Sequence, residues 1–298
     1  MKKIFLPFVF VLLFISGCKK TEEPRLVFKF RFDPDQERLN SVGQPSVMPE
    51  GHAGQNPSMN AMSAHYIELA PSALTPLTTG AVIYRAEETN VGGSLAIDFD
   101  KSVKVGDGEV FYSVPLKDIP KGSYEWLRVS LAYQNYDVKM YVNQYNGISI
   151  NQEFPATIAS FIGFNNYINT FRIKNQVVSV QANKTQGYWG FETIISYLNQ
   201  NFPFHTTGQA PPNATTVPNP IASTSPIPAG SCVVTGPFQN NQKLVITGQE
   251  SNDIVVYVSL STNNSFEWID VNPDGKWDPT ANENIVDMGV RGLKAIIQ

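Results

Sequence analysis

Two cysteines, Cys18 and Cys232, serve a chain of 298 residues, so no disulfide framework supports its fold. Charge is scarce as well: Asp, Glu, Lys and Arg make up 16% of the chain, with a formal net charge of −4. Lys and Arg form no cluster, which excludes a nucleic-acid footprint. The chain has no Gly-x-Ser-x-Gly elbow, no His-Glu-x-x-His, no phosphate-binding glycine loop and no dinucleotide fingerprint. It is therefore read as a non-enzyme. Paired carboxylates for glycoside hydrolysis stay open, with Asp98, Asp100 and Glu109 as candidates. One long apolar run exists, Ile4 to Ile15, and it is too short to span a bilayer comfortably as a helix.

That run follows Lys2 and Lys3 and precedes the small residues Ser16 and Gly17, the layout of a secretory signal over residues 1–17. Ile15-Ser16-Gly17-Cys18 resembles the bacterial lipobox. The resemblance implies that Cys18 is acylated, becomes the first mature residue and takes membrane lipid as its partner. Each buried methylene contributes about 0.8 kcal/mol, and two or more acyl chains anchor stably. Lys19 departs from the Cys-Asp start of inner-membrane lipoproteins, so the outer membrane is the expected address. Glu22 and Glu23 are similar to the export tethers of Bacteroidetes-type surface lipoproteins. Cleavage leaves 20 basic against 26 acidic side chains. With Cys18 lipidated, Cys232 is unpaired and expected to be buried as a small hydrophobe.

Asn, Ser, Thr, Gly, Pro and Tyr are prominent, a profile of turn-rich β structure. Residues 26–32 alternate with period two, Phe28, Phe30 and Phe32 opposing Lys29 and Arg31, and predict a first strand. A long irregular loop is expected over residues 33–63. Short strands follow at His65–Leu69, Ala81–Tyr84, Val110–Leu116, Glu125–Tyr133, Val138–Val142 and Val177–Ala182. Along Glu125–Tyr133, Leu127, Val129, Leu131 and Tyr133 share a face opposite Trp126, Arg128 and Ser130. Phe191, Ile194, Ile195 and Leu198, at i, i+3, i+4 and i+7, predict a helix. Residues 203–230 read as a Pro/Thr/Ser-rich linker. Lys243–Thr247 and Ile254–Leu260 read as a hairpin, and Ser265–Ile269 and Asn284–Val290 as the last pair of strands.

The fold expected is mainly β: an antiparallel β-sandwich-like body with long loops and at most one or two short helices. Residues 1–17 form the signal peptide, 18–25 the lipidated tether and 26–202 the β domain. After the 203–230 linker, residues 231–298 form a C-terminal β segment that shares the same core, because so short a piece without disulfides is a marginal core alone.

Between the last two strands, Asp270, Asn272 and Asp274 alternate, with glycine at Gly275 and further ligand positions at Lys276 and Asp278. A hard cation such as calcium takes six to eight oxygens, and alternate residues of a tight loop supply them. Lys276 offers only its backbone carbonyl. An EF-hand would place a bidentate acid at Ala281; Glu283 is the substitute here, between strands rather than helices. The reading is a structural calcium loop of Asp270, Asn272, Asp274, Lys276, Asp278 and Glu283.

Met48, His52, Met59, Met62 and His65 gather three of six methionines and two of three histidines, and thioether with imidazole suits copper. A copper-handling role is thus the first alternative. Tyr124, Trp126, Tyr145, Tyr188 and Trp189 are candidate glycan platforms, which makes a surface glycan-binding protein the second. An envelope protein is the other partner expected.

Ala159-Ser160-Phe161-Ile162-Gly163-Phe164, Gln186-Gly187-Tyr188-Trp189-Gly190-Phe191-Glu192 and Ser261-Thr262-Asn263-Asn264-Ser265-Phe266-Glu267-Trp268 carry a resemblance. It continues through Val286-Asp287-Met288-Gly289-Val290-Arg291-Gly292-Leu293. These stretches resemble an uncharacterised family of Bacteroidetes-type outer-membrane lipoproteins. The resemblance implies the anchor, a β architecture and the cation loop, and it supplies no reaction.

Overall fold

The computed structural model describes residues 23–145, 147–210 and 232–298. The signal peptide, Cys18 and most of the proline-rich stretch lie outside the described residues. The strands run in chain order as β1 (Arg25–Asp33), β2 (His52–Gln55), β3 (Ser58–Ala70), β4 (Ala81–Arg85), β5 (Glu88–Thr89), β6 (Ala96–Asp98), β7 (Val110–Pro115), β8 (Gly122–Tyr124), β9 (Trp126–Tyr145) and β10 (Ile148–Phe161). They continue as β11 (Asn165–Arg172), β12 (Val177–Thr185), β13 (Tyr188–Tyr197), β14 (Gln200–Gln209), β15 (Val233–Pro237), β16 (Leu244–Ile246), β17 (Ile254–Ser261), β18 (Phe266–Ile269), β19 (Ile285–Met288) and β20 (Leu293–Ile297). The fold is mainly β, with antiparallel sheets packed in a sandwich-like manner and only short 3-10 turns as helix among the described residues.

The alternation in β1 buries Leu26, Phe28 and Phe30 completely. β1 runs parallel to β17, with Phe28 opposite Val256 and Phe30 opposite Val258. A four-stranded sheet of order β20-β17-β1-β7 results. Its core also takes Leu127, Val129, Val234 and Leu293, so strands from both sides of the proline-rich stretch meet in one apolar cluster.

β9 is the spine of the molecule. Its 20 residues reach about 65 Å at the usual strand rise. It lies in a seven-stranded sheet of order β14-β13-β10-β9-β3-β4, with β15 also paired to β9. Leu127, Val129 and Leu131 pack in the first core. Tyr136, Val138, Met140 and Val142 pack in a second, beneath Phe266, Trp268 and Trp277. Smaller sheets, β12-β11-β6-β5, β16-β8 and β19-β18-β2, complete the body.

Several elements differ from the sequence expectation. Phe191–Leu198 is not a helix; β13 runs to Tyr197, paired to β10 on one side and β14 on the other, and Leu198 lies in the turn that follows. The β-branched Thr193, Ile194 and Ile195 favour that outcome. The irregular loop ends early, since β2 and β3 arise at His52 and Ser58. The linker expected from residue 203 is strand up to Gln209. β16 and β17 form no hairpin: β16 pairs with β8, whereas β17 lies between β1 and β20. Finally, β9 has no solvent face near its start, as Arg128 and Ser130 are buried along with Leu127 and Val129.

Candidate cation site

The loop from Asp270 to Asn284 joins β18 to β19, which are paired antiparallel. It does not hang free. Trp277 is buried in the second core, 4.9 Å from the Phe266 ring and 6.0 Å from Phe191. Its indole N–H donates to the carbonyl of Glu283 at 3.2 Å, and its own carbonyl accepts from the Tyr141 amide at 2.7 Å. Gly275, at φ +70°, turns the chain where a side chain would be strained.

The turn brings carboxylate oxygens of Asp270, Asp274 and Glu283 within 4.8 Å of one another. Asp270 Oδ2 accepts the Gly275 amide at 3.0 Å, and Asp274 Oδ1 the Lys276 amide at 2.9 Å. Asp270 Oδ1 is buried and has no hydrogen-bond partner among the described residues. Glu283 is buried, and its oxygens accept the Asn272 and Asp278 amides at 3.3 and 2.6 Å. Burial raises its pKa, the Asp270 and Asp274 charges add to this, and the two amide bonds oppose it. Three carboxylates this close repel one another unless a proton or cation offsets them. The residues fit a hard cation: all donors are oxygen, and one buried oxygen has no other use.

One carboxylate of the expected set turns elsewhere. Asp278 is buried away from the triad, where Oδ1 caps Thr280 at 2.8 Å and Oδ2 accepts the Asn143 amide at 3.0 Å. Lys276 sets its ammonium 4.4 Å from the centre of the Tyr141 ring. Both side chains tie the loop to β9, and the Lys276 backbone carbonyl is a separate group.

The copper set is not brought together. His52 holds Glu267 at 2.6 Å beside β18, whereas His65 holds Glu88 at 2.8 Å. Met62 is fully buried in the first core, Met59 packs against both main cores, and Met48 is half-buried before β2. Of the aromatic candidates, Tyr124 and Tyr188 are core residues, Trp189 packs on the second core, Trp126 is half-buried, and Tyr145 is exposed. Among the carboxylates, Asp98 lies 3.6 Å from Lys101, Asp100 is exposed, and Glu109 accepts the Gly106 amide at 2.8 Å. The Cys232 thiol lies 3.3 Å from Ser130 Oγ, and burial pushes its pKa up.

Sequence reasoning missed a buried charge cluster at the same hairpin. Glu267 on β18 accepts from Arg38 at 2.5 Å, Arg291 at 2.7 Å and His52 at 2.6 Å. Arg291 also lies 2.8 Å from Asp287 on β19. Burial alone would raise the Glu267 pKa, but His52, Arg291 and Arg38 together hold it below the ordinary carboxylate range. Burial dominates at Asp287, which is pushed up to about 7 against the pull of Arg291. Arg38, His52 and Glu267 lie far apart in the chain and share no local pattern, although Asp287 and Arg291 are four residues apart.

Neither a protein-family model, nor a curated protein, nor a solved structure matches this chain.

Proposed function

We propose that this protein is a lipid-anchored envelope protein of the outer membrane, held through acylated Cys18, with a binding or surface-structural role and a structural calcium in the Asp270–Glu283 loop. The observation that carries the reading is the turn that gathers the Asp270, Asp274 and Glu283 carboxylates within 4.8 Å of one another, with Asp270 Oδ1 buried and without a hydrogen-bond partner among the described residues. The lipobox-like Ser16-Gly17-Cys18 and the likeness to Bacteroidetes-type lipoproteins support the anchor. The placement of the two ends agrees with this. β1 starts beside the first core, whereas the cation loop docks on Tyr141, ten residues beyond Leu131 and about 30 Å further along β9. An anchor that precedes β1 then leaves the cation loop remote from the point where β1 begins.

Calcium here would tie β18 to β19 and seat Trp277 on the sheet, stabilising the fold by RT ln(1 + [Ca²⁺]/Kd). Terbium, which accepts energy from a nearby indole, is the direct probe. Trp277 excitation is expected to give terbium luminescence that calcium competes away and that Asp270→Asn abolishes. Because Glu283 holds its proton to higher pH than an ordinary glutamate, binding should weaken on acidification before the ordinary carboxylate range is reached. Terbium emission equal in the parent and Asp270→Asn chains would remove the site from the account.

A further inference from the structure

β14 forms one margin of the seven-stranded sheet, and among the described residues it pairs with β13 alone. Both of its faces are open over residues 200–205, with Phe202 50% and Phe204 52% exposed. A long exposed edge with apolar side chains is a template for another strand.

The register shows which backbone groups are available. Leu198 and Asn199 both have positive φ, 49° and 61°, and form the two-residue turn between the paired Tyr197 and Gln200. Tyr197 and Gln200 therefore exchange hydrogen bonds, and antiparallel alternation aims the backbone groups of Gln200, Phe202, Phe204, Thr206 and Gly208 into β13. The bond from the Ala210 amide to the Gly187 carbonyl, 2.8 Å, keeps the same parity. Asn201, Pro203, His205, Thr207 and Gln209 then aim theirs away from the sheet. Pro203 has no N–H, so the edge is blunted there and open from His205 to Gln209.

Charge selects the occupant. Residues 193–242 contain no Asp, Glu, Lys or Arg, in a chain whose net charge is −4. Two copies of an acidic chain repel over most approaches, and this edge lets them meet without opposing like charges.

We propose that β14 is a homotypic docking edge, on which a second copy of this chain pairs antiparallel about a two-fold axis at Thr207. In that register Thr207 faces itself and His205 of each copy faces Gln209 of the other. Three residue pairs exchange bonds, and Pro203 stays outside the ladder. Between them Thr206 faces Gly208, where a side chain would have no room: a Cβ would sit 2.3 Å from the Trp189 ring that covers it. Phe204 faces Ala210 of the other copy. Such an interface is isologous and closes at two copies.

The test uses the full chain in its own membrane, with Cys232→Ser as background. Hydrogen-bonded opposite residues have Cα atoms about 5.5 Å apart, a spacing that a disulfide spans. Thr207→Cys is expected to cross-link to a dimer under mild oxidation, and Asn201→Cys, exposed on the same strand, is not. In detergent the parent should sediment at twice the chain mass, and Thr207→Pro, which removes only an outward-facing N–H, should return it to one. A parent chain that sediments as a monomer, or an Asn201→Cys chain that cross-links as well as Thr207→Cys, would overturn the proposal.

Discussion

Glu267→Ala is expected to cost roughly 3–5 kcal/mol of stability, the usual penalty for removing one partner of a buried charge pair. Glu267 is 2% exposed and answers Arg38, Arg291 and His52. Without it the Arg38 and Arg291 guanidinium groups lose the buried carboxylate they share. The cluster joins the segment before β2 to β18 and β19, so its loss frees three parts of the chain at once. Tm should fall on the order of 10 °C, read by calorimetry at neutral pH.

The pH dependence has a definite sign. Glu267 has a depressed pKa, so its stabilisation is present above the ordinary carboxylate range and is lost as pH falls through its folded value. The deficit of Glu267→Ala should shrink on acidification. Asp287 acts oppositely: its folded value of about 7 means that stability falls as pH rises from the ordinary carboxylate range towards neutrality. A variant that melts within a degree of the parent at neutral pH would show that the cluster contributes nothing net.

Trp277→Ala is expected to cost a similar amount, roughly 3–5 kcal/mol, as for other buried Trp→Ala changes. The indole is 5% exposed, packed edge-on to Phe266 and Phe191, and it donates to Glu283. Its removal opens a cavity beneath the cation loop and frees the carbonyl that fixes Glu283. Cation affinity should therefore fall along with stability. Phe204→Ala is the control: the Phe204 ring centre also lies 6.2 Å from that of Phe191, but the residue is 52% exposed. Its effect should stay near 1 kcal/mol or below. Urea midpoints of the two variants that coincide would contradict the assignment of Trp277 to the core.

Much of the strand pattern was legible because one-sided burial writes period two into the sequence. Leu26, Phe28 and Phe30 in β1 and Val256, Val258 and Leu260 in β17 are the clearest instances. Where both faces of a strand pack, that signal fails. β9 read as two short strands because Gln134 and Asn135 interrupt its apolar run, yet both are buried and donate to the carbonyls of Met288 and Ile173. β13 read as a helix because Phe191, Ile194, Ile195 and Leu198 satisfy helical spacing as well as a strand with two partly covered faces. Pairing partners such as β1 with β17 or β16 with β8 are long-range and leave no local trace.

The cation loop was legible as a crowding of oxygens, not as a ligand list. Asp278 fits the alternate spacing but serves as a cap, because aspartate suits either task and only the position of Asn143 decides between them. The His52 and His65 side chains looked like one cluster in sequence and are divided between two carboxylates in space.

The central claim is that a cation in the Asp270–Asp274–Glu283 turn staples β18 to β19. Thermal unfolding with millimolar calcium and with chelator tests it most directly. The account predicts a higher Tm with calcium in the parent and no difference in Asp270→Asn. Identical melting of the parent in both conditions would contradict it.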